Sequence, residues 1–120
     1  MTEPRTTHVN VLVTKTLEIN EPDWCIGHAD DHPQYKVDIG HTGPEHVIAP
    51  GGRELFRALL TQGPFSNIDR TTGLYIETAD ITGTRSPAEL EQLADDLVAA
   101  ANQLRELGRE LANILAGGAS

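Results

Sequence analysis

From Thr6 to Ile19 apolar and polar positions alternate: Val9, Val11 and Val13 share one parity, and Leu17 and Ile19 keep it. A period of two is the signature of a half-buried strand, here one strand or two broken near Lys15-Thr16. Asn20-Glu-Pro-Asp interrupts it. Tyr35, Val37 and Ile39 then alternate with Lys36 and Asp38 and predict a further strand. Gly40-His-Thr-Gly-Pro reads as a turn, and His46-Val-Ile-Ala as a short returning strand before Pro50-Gly-Gly.

The segment Arg53–Gln62 supports two readings. Leu55, Phe56, Leu59 and Leu60 fall at helical spacing with Gly63-Pro64 as a stop signal, yet the same residues fit a strand that is apolar on both faces. Leu74 and Ile76 beside Tyr75 and Glu77 predict another strand. The last element is defined by local chemistry. Ser86-Pro-Ala-Glu is a capping box with Pro at the first helical position. Leu90, Leu93, Leu97, Ala100, Leu104, Leu107, Leu111 and Ile114 follow at three-four spacing to about Ala116, where Gly117-Gly118 ends the run. Beside that seam lie Ala94, Ala101 and Gly108, all small.

These patterns predict an α+β fold: an antiparallel sheet of four to six strands packed against one long C-terminal helix. The expected layout is one domain over residues 1–120, with a tail over 1–5, a sheet over 6–80 interrupted by a loop over 20–34, a helix over 86–116 and a tail over 117–120. About thirty helical residues span roughly 45 Å, whereas strands of five to seven residues reach only about 17–24 Å. The second half of the helix is therefore expected to meet a second copy, giving a homodimer.

Composition narrows the class. The chain has 120 residues, 38% hydrophobic and 22% charged, which suits a globular protein with a modest core. Net charge is −9, and no third of the chain is basic, so nucleic acid and anionic membrane are not expected partners. A cation, or a protein with a basic surface, fits better. No apolar run is long enough to span a bilayer, Met1-Thr-Glu-Pro-Arg lacks a signal core, and the single cysteine permits no internal disulfide. A cytoplasmic location is expected.

Against that background, Asp23-Trp-Cys-Ile-Gly-His-Ala-Asp-Asp-His holds the only Cys, the only Trp and two of the five His. Cys25, His28, His41 and His46 are spaced C-x2-H-x12-H-x4-H, close to a two-Cys, two-His zinc finger. The finger fold itself is excluded, because its two His share a helix face and Gly43-Pro44 lies between these two. A zinc site on another fold remains, with Cys25, His28 and His41 as ligands and His46 or His32 as the fourth; Asp30 and Asp31 are weaker donors. A Cys25–His28 nucleophile pair lacks an orienting third group. A three-ligand zinc hydrolase would need a base such as Glu21, Asp23 or Glu45. The plain alternative buries Cys25 and Trp24 beneath the sheet and leaves the His and Asp solvated.

Trp24-Cys25, His28, His41-Thr-Gly-Pro-Glu, a strand pair and a helix opened by Ser-Pro-Ala-Glu together resemble small actinobacterial proteins classed as a domain of unknown function. The resemblance spans roughly residues 8–116. It implies that Cys25, His28 and His41 belong together, and that Arg53–Gln62 is a strand paired with Gly73–Ala79. It carries no activity with it. The combined expectation is a non-enzymatic, zinc-binding, dimeric regulatory or adaptor module. A small zinc-dependent hydrolase and a metal-free dimerising protein are the alternatives.

Overall fold

The computed structural model describes residues 3–117. Met1, Thr2 and Gly118–Ser120, which belong to the expected tails, lie outside the described residues. Among the described residues four strands form one antiparallel sheet: β1 (His41–Thr42), β2 (His46–Ile48), β3 (Phe56–Gln62) and β4 (Gly73–Thr78). One long helix, α1 (Pro87–Leu115), completes the α+β architecture. Among the described residues, no helix is long and apolar enough to cross a membrane.

β3 is the centre of the sheet. One of its edges pairs with β4 over the whole run from Phe56↔Thr78 to Thr61↔Gly73. The other edge is shared by β1, with His41↔Gln62 and Thr42↔Thr61, and β2, with His46↔Ala58 and Ile48↔Phe56. Between Thr42 and His46 the chain advances four residues while β3 advances three, so the lane contains a β-bulge. Gly43-Pro44-Glu45 builds it. Gly43 N–H still donates to Leu60 O at 2.9 Å, whereas Pro44 has no N–H to place.

This settles the double reading of Arg53–Gln62: its second part is a strand. A segment apolar on both faces suits a central strand flanked on both edges. Alternation then sorts the faces. Ile48, Phe56, Ala58, Leu60 and Leu74 share one face, and Val47, Arg57, Tyr75 and Glu77 share the other, which is exposed. On the open face Arg57 bridges Glu45 at 2.7 Å and also pairs with Glu54.

Two expected strands are not formed. The sheet expected over 6–80 begins only at His41. Thr6–Ile19 has no strand partner, and Val9, Leu12 and Val13 are 75–90% exposed. Alternation states which face a strand would bury, but a strand also needs a ladder, and this segment finds none within the described residues. Tyr35–Ile39 instead contains a single 3-10 turn, Lys36–Asp38, closed by Asp38 N–H to Tyr35 O at 3.0 Å. Continuing β1 backwards in register would set Ile39 against Pro64, which cannot donate, and β3 has already turned there, with Ser66 N–H bonded to Gly63 O at 3.1 Å. Conversely, the turn expected over Gly40–Pro44 contains the two residues of β1.

α1 begins as its sequence predicts. Ser86 Oγ accepts from Glu89 N–H at 3.2 Å, and Glu89 Oε1 accepts from Ser86 N–H at 3.1 Å. It ends at Gly117, whose φ of 84° allows its N–H to reach Ile114 O at 2.9 Å. Ala100 is fully buried against Ile48 and Leu55, and Leu93, Leu104, Leu107 and Phe56 pack around them. The core thus reaches further along α1 than strand length alone suggested, to Leu107. Leu111 and Ile114 beyond it are half-buried, and Leu115 is exposed.

The β2–β3 turn also braces the helix. A Cβ on Gly51 would stand 2.5 Å from Asp96 Oδ1. Asp96 is buried and accepts from Gln92 Nε2 at 2.8 Å.

Candidate metal centre

The second feature of the helix-facing side of the sheet lies at its other end. Pairing with Gln62 sets His41 on the same face as Leu60 and Ile48. The loop from Glu21 folds onto this end. Cys25 N–H donates to Pro22 O at 3.0 Å, closing a turn, and Ile26 N–H donates to Thr42 O at 2.9 Å, tying the loop to β1. Trp24 rests on the bulge, where a Cβ on Gly43 would be 3.5 Å from its Cε3, and its ring meets His41 edge-on at 6.3 Å. Gly27, at φ 98°, lets the chain reverse without a Cβ clash. His28 then returns toward Cys25.

The side chains converge. His28 Nε2 is 3.6 Å from Cys25 Sγ and 3.2 Å from His41 Nδ1, and the three donor atoms all lie within 4.8 Å of one another. A tetrahedral zinc with bonds of about 2.05 Å to nitrogen and 2.3 Å to sulfur has N···N edges of about 3.3 Å and S···N edges of about 3.6 Å. The two measured edges match those lengths. This group could hold a metal ion.

Protonation favours the same use. His28 Nδ1 donates to Asp31 Oδ2 at 2.8 Å, which leaves the Nε2 lone pair facing the centre. Such a carboxylate behind a histidine fixes tautomer and ring orientation in metal sites. Asp31 itself is held by a local turn, its N–H on His28 O at 3.0 Å. His41 is only 2% exposed, and burial, then the adjacent His28, pushes its pKa below the ordinary imidazole value, against smaller opposing effects of Glu21 and the Asn20 backbone. His41 is therefore neutral at pH 7 and able to donate its lone pair. Every buried side-chain N and O among the described residues has a partner.

The remaining expected donors stand elsewhere. His46 pairs with Ala58, four positions down β3 from the partner of His41, and so lies about 13 Å along the strand at 3.3 Å per residue. His32, Asp30 and His46 are exposed and outside the converging group. Glu21, weighed from the sequence only as a base, approaches instead: its Oε1 is 3.9 Å from His28 Nε2. Two clefts, one of about 540 Å³ between β4 and the first half of α1, are lined by none of these residues.

No curated protein and no solved structure matches the chain. A family model does, over residues 3–113, a span that includes the unpaired N-terminal segment, the loop, the sheet and nearly all of α1. The chain with this Cys-His-His cluster on an α+β scaffold belongs to the family described as Domain of unknown function (DUF6907).

Proposed function

We propose that the chain is a zinc-binding module in which Cys25, His28 and His41 supply ligands and the metal fastens the 21–31 loop to the end of the sheet. The observation that carries this reading is the pair of donor separations, 3.2 and 3.6 Å, at the edge lengths of a tetrahedral zinc site. A thiolate with two imidazoles suits a borderline-soft ion, which favours zinc over calcium or magnesium. The role is structural: binding energy at a folded site becomes folding energy.

The module acts through protein contacts as a homodimer. Support comes from α1, whose half-buried Leu111 and Ile114 and exposed Leu115 extend past the core residue Leu107. A net charge of −9 makes a basic protein surface the complementary partner for an adaptor role.

Protein purified without a chelating tag should contain one zinc per chain by elemental analysis. Chelator, or Cys25→Ser, should lower the melting temperature. Metal-free protein whose melting point is unchanged in excess chelator refutes the zinc reading. Light scattering tests the dimer: Leu111→Glu should yield a folded monomer, and a wild-type monomer at all concentrations refutes the interface.

A further inference from the structure

We infer that Glu21 is the fourth ligand, closing the centre as a Cys25-His28-His41-Glu21 tetrahedron with no exchangeable position. This rests on the metal-binding reading above and adds to it the one property that separates a structural centre from a hydrolytic one.

Position comes first. Glu21 Oε1 lies 3.9 Å from His28 Nε2, the atom that faces both other donors. A carboxylate oxygen bound at about 2.0–2.2 Å would sit about 3.4 Å from a ligating nitrogen, so Glu21 has to close by about half an ångström on His28 and, lying outside the 4.8 Å group of the other three donors, by about an ångström or more overall, within the reach of a rotamer change. The Glu21 side chain is 47% exposed and among the described residues pairs only with His28, so within them that movement breaks no other ion pair. The turn from Pro22 to Cys25 folds the chain back directly after residue 21, and Glu21, Cys25 and His28 come from eight consecutive residues. Closing so short a segment costs little chain entropy.

Charge points the same way. Zinc with one thiolate and two neutral imidazoles carries a net charge of +1 next to a His41 ring that is 2% exposed. A partly desolvated centre is better balanced by a second anion, and Glu21 brings the net charge to zero. The competing carboxylate, Asp31, is engaged on the far nitrogen of His28 at 2.8 Å. His46 stands about 13 Å along the strand from the group.

The test uses the full chain loaded with cobalt(II), comparing wild type with Glu21→Ala and with Glu18→Ala, which removes the same charge three residues away. Wild type should show thiolate-to-cobalt absorption and intense four-coordinate d–d bands that added azide does not move. Glu21→Ala should bind cobalt more weakly, by more than the roughly 10–100-fold cost of losing an outer-shell partner, and azide should shift its bands. Glu18→Ala should behave as wild type. Azide shifting the wild-type bands, or Glu21→Ala binding as Glu18→Ala does, overturns the assignment of Glu21 and leaves the three-ligand site standing. A wild-type chain without thiolate-to-cobalt absorption overturns the metal reading, and this inference with it. Circular dichroism of each variant confirms folding, which substitution of an exposed side chain should not disturb.

Discussion

A single methyl group at Gly51 tests how the helix is held against the β2–β3 turn. Gly51→Ala would place its Cβ 2.5, 2.7 and 2.8 Å from Asp96 Oδ1, Oδ2 and Cγ. Ordinary contacts are about 3.5–4.0 Å, so either the turn withdraws or Asp96 rotates. Overpacking of this kind costs about 1–3 kcal/mol, and rotation also breaks the Gln92–Asp96 hydrogen bond. Gly51 is not at positive φ, so alanine regains about 0.4–1 kcal/mol by restricting the unfolded chain. The net loss is about 1–2 kcal/mol, a fall of about 4–8 °C in Tm for a domain near this size. Adding Asp96→Ala removes the obstacle, so a double-mutant cycle should show coupling of at least about 1 kcal/mol. Gly52→Ala is the contrast: at φ 81° with open space around its Cβ, it should cost about 1 kcal/mol of backbone strain that Asp96→Ala does not relieve. Additive effects of Gly51→Ala and Asp96→Ala in thermal denaturation would refute the contact.

Gly108 has open space where its Cβ would be, so Gly108→Ala should raise the stability of the dilute chain by about 1 kcal/mol while weakening self-association. Sedimentation at several concentrations checks this, and unchanged association would confine the dimer contact to the end of α1 beyond Gly108, at Leu111 and Ile114. Leu55→Ala, at a position 2% exposed, should cost about 2–5 kcal/mol in urea denaturation, and a loss below about 1 kcal/mol would remove Leu55 from the core. The Ser86 backbone N–H, then its side chain, holds the Glu89 carboxyl below the usual carboxylate value. Its contribution is therefore complete above the unfolded value of roughly 4.3 and is lost as pH falls through the lower folded value. Glu89→Gln should flatten that part of the stability–pH curve, and an unchanged acid limb would refute the coupling.

What could be read from the chain divides by the range of the interactions involved. Ser86, Pro87 and Glu89 satisfy one another within four residues, so the start of α1 is written locally, as is its end at Gly117. Arg53–Gln62 is not, because leucines on both faces fit a helix and a central strand equally until β1, β2 and β4 are in place. Val9 to Val13 failed differently: their alternation is real, but whether it becomes a strand depends on a partner edge that the segment itself cannot specify. Within the Cys-His-His cluster, Cys25 and His28 were visible as a short loop with chelating spacing, and His41 fitted by spacing and by family resemblance. His46 also satisfied the spacing, and only the register of β2 places it beyond reach. Glu21 attracted attention as a base because a carboxylate's distance from an imidazole is set by the turn at Pro22, not by composition.

The bulge between β1 and β2 fixes which lengths of chain can vary. Without an extra residue, positions five apart, such as His41 and His46, would project to opposite sides; with it, His41 and Ile48 face the same way. One lane of backbone can therefore deliver a histidine of the Cys-His-His cluster at one end and a core aliphatic at the other. The twelve residues between His28 and His41 form no ladder, and past the turn that seats Asp31 behind His28 they contain only the short Lys36–Asp38 turn, so insertions after Asp31 change a loop and little else. A single deletion at Gly43, Pro44 or Glu45 has no such freedom. It reverses the phase of everything before it, carrying His41 to the face of Arg57 and Tyr75 and separating the cluster from its loop. Among natural variants of this chain, length should drift freely on one side of His41 and stay constant on the other.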